Sequence, residues 1–179
     1  MKSTRIWVKF NTTRKTKNRV KKIDRKDVLE KMEERGSIGD KHKYNFKEMG
    51  KNVKHGADLE ITWIDDNDLP GFEGYSVAMF DKINPGEIYL NINNWKKLRR
   101  PHHNRWIKYY GKRRGLEEYR RYVINHELGH VLGGGHEDFN PGEMRDCHLM
   151  EQQTYSPKRK CKPSSKIHKK TLKILKRLK

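Results

Sequence analysis

His126, Glu127, His130, Gly133 and His136 fall within the eleven-residue string HELGHVLGGGH. On a helix, His126 and His130 are four residues apart and project from one face about a turn apart, close enough to share one ion. Neutral imidazole is a good zinc ligand, and a catalytic zinc takes three protein ligands with a fourth position left to water. Glu127, beside the first histidine, is placed to accept a proton from such a water and later deliver it to a leaving amine. For His136 to reach the same ion, the helix must stop and the chain must turn back sharply. Gly133 is where a left-handed backbone is expected, a conformation that glycine adopts cheaply. The spacing does not demand Gly134 or Gly135. The pattern predicts a zinc centre of His126, His130 and His136, with Glu127 as general base and then acid.

The elements that must position these residues can be read from periodicity. RIWVKF (5–10) reads as a first strand, and Asp24 as the cap of a helix running to about Arg35, with Val28, Leu29 and Met32 on its buried face. In ADLEITWI, Leu59, Ile61 and Trp63 alternate with polar residues, the pattern of a strand with one buried face. YSVAMF (75–80) and EIYLNI (87–92) are two further strands, separated by the turn residues NPG. Residues 96–115 read as a long, basic, aromatic loop, in which Trp106, Tyr109 and Tyr110 anchor the loop to the core or stack nucleic-acid bases. His102 and His103 within it are adjacent and point apart, so they are poor co-ligands. A helix from about Leu116 carries the histidines. SSKIHKKTLKILKRLK reads as a serine-capped amphipathic helix with a stripe of Ile167, Thr171, Ile174, Leu175 and Leu178. This order is an α+β layout, a mixed β-sheet packed on helices.

The spacing H-E-x-x-H-x-x-G-x-x-H resembles the zinc motif of the metzincin metallopeptidases. DLEITWI, GYSVAMF and GEIYLNINNW are similar to the strands that lead into the metzincin active-site helix. That resemblance implies a peptide-binding edge strand at 75–80, with Val77, Ala78 and Met79 pairing backbone-to-backbone with substrate. It also implies a small irregular C-terminal subdomain ending in a helix, and a methionine turn beneath the metal. Met150 is favoured for that turn over Met144. YRRYVINHELGH and LMEQQT (149–154) resemble an actinobacterial domain family of unknown function that shares the metzincin motif. The two resemblances cover roughly residues 57–155. The tyrosine that several metzincin families place two residues after the turn methionine is replaced here by Gln152 or Asp146, leaving Tyr155 as the alternative. Archaemetzincins carry four cysteines for a second zinc, one of them directly after the third histidine. Glu137 stands in that place here, and a second zinc would have to be completed by His148 or His168.

The 179 residues fit one domain: 1–155 as the catalytic body, with 1–26 a basic arm that includes the first strand, and 156–179 as a basic tail. The net charge of +19 is uneven. Residues 1–26 hold eleven Lys/Arg against one acid, residues 96–121 eleven against two, and residues 156–179 eleven against none. Such basic segments either attract a polyanion partner, nucleic acid or an anionic surface, or form a solubilising lysine-rich periphery. No apolar run is long enough to span a membrane, and no secretory signal is seen at 1–15, which favours an intracellular or virion-associated monomer over a secreted one. Cys147 and Cys161 can form one disulfide, with reduced thiols the default in such a compartment. The expected activity is that of a zinc-dependent endopeptidase acting on protein or peptide. The alternative is a basic nucleic-acid- or virion-associated protein whose zinc is only structural.

Overall fold

Alternation sets the first strand: in β1 (Thr4–Thr12), Ile6 and Val8 are buried while Arg5 and Lys9 face solvent. The computed structural model describes residues 3–50, 56–68, 77–79, 86–98, 104–136, 146–153, 161–167 and 169–175. β1 lies in the interior of a five-stranded sheet, parallel both to β2 (Tyr44–Glu48) and to β3 (Leu59–Ile64). β3 continues in parallel to β5 (Gly86–Asn91), with Ile61 opposite Ile88 and Trp63 opposite Leu90. β4 (Val77–Met79) closes the order β2-β1-β3-β5-β4 as an antiparallel edge strand. The architecture is therefore mixed α+β, as the element order implied.

The helices are stopped and started by local chemistry. α1 (Lys22–Glu33) begins one turn before the expected cap: Asp24 sits inside its first turn and accepts the Lys21 backbone N–H at 2.7 Å. Ser37 caps the short α2 (Ile38–His42), accepting the Asp40 N–H at 3.1 Å, and Asn91 caps α3 (Ile92–Lys97) by accepting from Asn93 N and Asn94 N. Neither short helix, nor β2, has enough length to register as a periodic pattern.

The expected loop at 96–115 is instead largely helical. α4 (Asn104–Tyr110) breaks at Gly111, where φ is +76°, and α5 (Lys112–Val131) follows at once. The reason is packing. Trp106 is fully buried against Tyr119 and Tyr122, with ring centroids 6.2 and 5.3 Å away. Gly115 lets the two helices approach, because a Cβ there would lie 2.8 Å from the Trp106 carbonyl oxygen. Cations further along α5 are engaged on α1: Arg120 pairs with Asp27 at 3.1 Å and Arg121 with Glu34, while Lys31 of α1 pairs with Glu117 at 2.9 Å.

The C-terminal part differs from expectation in two ways. Ser164 and Ser165 do not cap a helix but belong to β7 (Lys162–Lys166), which pairs in parallel with β6 (Asp146–His148). Gln153 holds this strand extended: its Nε2 donates to Ser164 O at 2.6 Å and its Oε1 accepts from Ser164 N at 2.8 Å. The helix, α6 (Lys169–Ile174), starts later, with Thr171 and Leu175 buried. Cys147 and Cys161, expected as reduced thiols, form a fully buried disulfide that ties the middle of β6 to the residue just before β7. Neither sulfur is then available as a thiolate ligand for a second metal, and His168 lies outside the described residues. No helix among the described residues is long and apolar enough to cross a membrane.

Candidate metal centre

α5 is the spine of the site. It packs on α1, α3, α4, β4, β5 and β7, so its histidine end is held from several sides. At Gly86, a Cβ would overlap Val131, which brings β5 directly against the end of α5. Asn125, one residue before the first histidine, accepts the Ile38 N–H at 2.9 Å and donates to Lys31 O and Arg121 O, both at 2.9 Å. This buried carboxamide locks α5 to α1 and α2.

His126, His130 and His136 converge. Nε2 of His130 lies 3.1 Å from Nε2 of His126 and 3.1 Å from Nε2 of His136. Nδ1 of His126 donates to the Leu149 carbonyl at 2.7 Å, and Nδ1 of His130 donates to the Gly134 carbonyl at 2.7 Å. A carbonyl only accepts, so in both rings the single proton of neutral imidazole sits on Nδ1. Their Nε2 atoms therefore present bare lone pairs to one another, an arrangement that repels unless a cation lies between them. Burial holds the His130 pKa below its ordinary value, against the opposing pull of the Gly134 carbonyl, which favours the neutral form that ligation needs. A backbone or carboxylate acceptor on the far nitrogen is the usual orienting contact of a metal-bound histidine. Two such acceptors, and three nitrogens facing one point, fit a zinc-type ion. The histidines are graded in exposure, from buried His126 to exposed His136, so the centre opens to solvent at its last ligand.

The turn after α5 shows what the glycines do. Gly133 adopts φ +86°. Gly134 N donates to Gly129 O at 2.9 Å, and the Gly134 carbonyl is the acceptor for His130. A Cβ on Gly134 would lie 2.8 Å from Leu175 Cδ2 and 2.9 Å from Gly129 O, so this position has no room for a side chain. Around Gly135, a Cβ would meet nothing within 4 Å.

Met150 is buried beneath the helix, and a Cβ on Gly129 would overlap its sulfur. Glu127 is 6% exposed and lies on α5 next to His126. Burial drives the Tyr119 phenol pKa far above the usual range, with lesser contributions from Tyr122 and Glu127. The Tyr122 ring lies tilted against the His126 ring, centroids 5.1 Å apart, and joins the 149–153 segment, donating to Glu151 O at 3.0 Å and accepting from Gln153 N at 3.1 Å. Val77, Ala78 and Met79 form the edge strand β4, paired through Ala78 with Ile88 of β5. His102, His103, Met144 and Tyr155 lie outside the described residues.

Sequence reasoning missed Leu149, Gly134, Gly129, Asn125 and Tyr122. Two of these act through a backbone carbonyl and one through the absence of a side chain, and neither leaves a side-chain signal. Asn125 and Tyr122 stand within the recognisable helix, but their long-range partners are visible only in three dimensions.

Residues 100–171 match the domain family described as "Protein of unknown function (DUF3152)", a span that includes both the histidine helix and the 149–153 segment. No curated protein matches the chain. Among solved structures, archaemetzincin from Methanopyrus kandleri is similar at 14% identity and a TM-score of 0.49, covering 95% of this chain and 93% of that one. The ECX AB5 holotoxin in its GM1-bound form is similar at 12% identity and a TM-score of 0.48, covering 87% of this chain and 68% of that one. The chemistry of the centre therefore rests on its own residues.

Proposed function

We propose that the chain is a zinc-dependent endopeptidase of the metzincin kind. The observation that carries this reading is the convergence of three imidazole Nε2 atoms, two of them with the opposite nitrogen bonded to a carbonyl. His126, His130 and His136 would hold the ion, which when bound polarises a peptide carbonyl and acidifies water. Glu127 takes the proton of the attacking water and returns it to the amine nitrogen as the C–N bond breaks, so the carboxylate is regenerated each turnover. Burial of Glu127 keeps bulk water from competing for that proton. Val77, Ala78 and Met79 offer the free edge of β4 to an extended peptide, which would bind through main-chain hydrogen bonds with little sequence preference.

Zinc content by elemental analysis and cleavage of a denatured protein library, compared between wild type and Glu127→Ala, test this directly. The variant is expected to keep its zinc and lose cleavage. Unchanged cleavage in the variant overturns the mechanism, and a wild type that binds zinc but cleaves nothing points to the structural-zinc reading.

A further inference from the structure

Two of the basic segments, far apart in sequence, meet in one cavity on the side of the sheet that leads into α3. Asn18, Arg19 and Lys21 line it from the turn before α1, and Asn93, Lys96 and Lys97 from α3; its volume is about 340 Å³. Four of the six lining residues are cations, two are carboxamides and none is acidic. The cationic and carboxamide head groups along it are hydrogen-bond donors that suit an anionic ligand.

The walls are built rather than accidental. The Arg19 guanidinium is ion-paired with Asp65 and donates to Asn93 Oδ1, which ties the turn to α3. Lys96 Nζ donates to Arg19 O at 2.5 Å and lies 3.3 Å from the Asp24 carboxylate. These contacts fix the frame and offset two of the charges. Lys21 and Lys97 are exposed at the mouth, and no ion pair engages either among the described residues. Their ammonium groups, each with three donors, are left for a ligand, with the exposed Asn18 carboxamide beside them.

We propose that this cavity is a binding site for a phosphate group, either free or carried on a nucleic-acid backbone. Phosphate presents several acceptor oxygens and more than one negative charge, which matches ammonium and carboxamide donors that line one cavity. The site is independent of the metal centre, since none of its lining residues belongs to that centre.

The test uses the full chain and two probes, pyrophosphate by calorimetry and a labelled single-stranded oligonucleotide by anisotropy. Wild type is compared with Lys21→Ala/Lys97→Ala and with Lys41→Ala/Lys47→Ala, a control that removes the same charge from exposed positions outside the cavity and outside the basic segments. The cavity variant is expected to lose about tenfold or more in affinity, and its oligonucleotide salt slope to fall by about 1.4, while the control stays near wild type. Loss with pyrophosphate alone assigns a free phosphate ligand, and loss with the oligonucleotide assigns the backbone phosphate. Equal losses in the two double variants, or no binding of either probe by wild type, overturn the proposal.

Discussion

The ring of His126 is oriented by Leu149, twenty-three residues further along the chain: imidazole Nδ1 donates to the Leu149 carbonyl across 2.7 Å. The same short segment places Met150 under Gly129 and Glu151 O on the Tyr122 hydroxyl. A candidate metal ligand on a helix is thus aimed by a floor that the helix itself must leave room for. Gly129 provides that room in the middle of the HELGH string, a task invisible in the spacing of the histidines.

Gly129→Ala should lower stability by about 1–3 kcal/mol, the usual result of overpacking a filled core. Thermal unfolding measures it, and adding Met150→Ala should recover part of the loss, because the clash is specific to the sulfur. Independent, additive losses in the double variant would falsify the contact as the cause.

The glycines of the turn should separate cleanly. Gly134→Ala, with 2.9 Å between its new Cβ and Gly129 O, should displace the carbonyl that orients His130 and weaken metal binding in a chelator competition. Gly135→Ala should stay within about 0.5 kcal/mol of wild type in stability, as surface changes generally do. Equal metal affinity in wild type and Gly134→Ala would remove the positioning role of that carbonyl.

Zinc binding should stabilise the fold and its removal destabilise it, since a cation between the His126 and His130 nitrogens would relieve their 3.1 Å approach. A ligand at a thousand times its Kd contributes about 4 kcal/mol, and for a chain of this size each kcal/mol moves the melting temperature by about 2–4 °C. Chelator should lower the melting temperature and added zinc restore it. A His130→Ala variant should show no such response.

Acid should loosen α2, which backs the histidine helix through Ile38. A hydrogen bond from Gly36 N–H holds the Asp40 carboxyl below its ordinary 3.8, with burial opposing and Lys43 and Lys41 assisting. A carboxyl with a depressed folded pKa contributes stability that is complete above the unfolded value and is lost as pH falls through the folded one. Asp40→Asn should therefore melt below wild type near neutral pH and match it well below pH 3.8. A constant difference across that range would show that the charge is not responsible.

Much of the scaffold was legible because it depends on side-chain alternation. Leu59, Ile61 and Trp63 are all buried, as are Ile88 and Leu90, and the strand order follows from their pairing. The histidine pair was legible because helix geometry alone dictates its spacing. The basic stretch 96–115 was misread as a loop because its many cations hide the period: Trp106 and Tyr110 lie about one turn apart with exposed Lys108 and Tyr109 between them, and only the burial of Trp106 reveals the helix. Ser164 and Ser165 looked like a helix cap, but Gln153 recruits them into a strand through contacts eleven residues distant. The cystine escaped for a similar reason: only the pairing of β6 with β7 brings Cys147 and Cys161 together.

The strand order β2-β1-β3-β5-β4 has a kinetic consequence. The earliest strand made is an interior one, and its partners lie about forty and fifty residues downstream, as in the pairs Thr4–Tyr44 and Val8–Leu59. Non-local parallel pairing of this sort folds slowly, because the intervening chain must be closed before any ladder forms. The third histidine, the Leu149 carbonyl and Leu175 arrive only after every strand of that sheet has been synthesised. The candidate metal site can therefore be completed only after every strand of the sheet is available to support it.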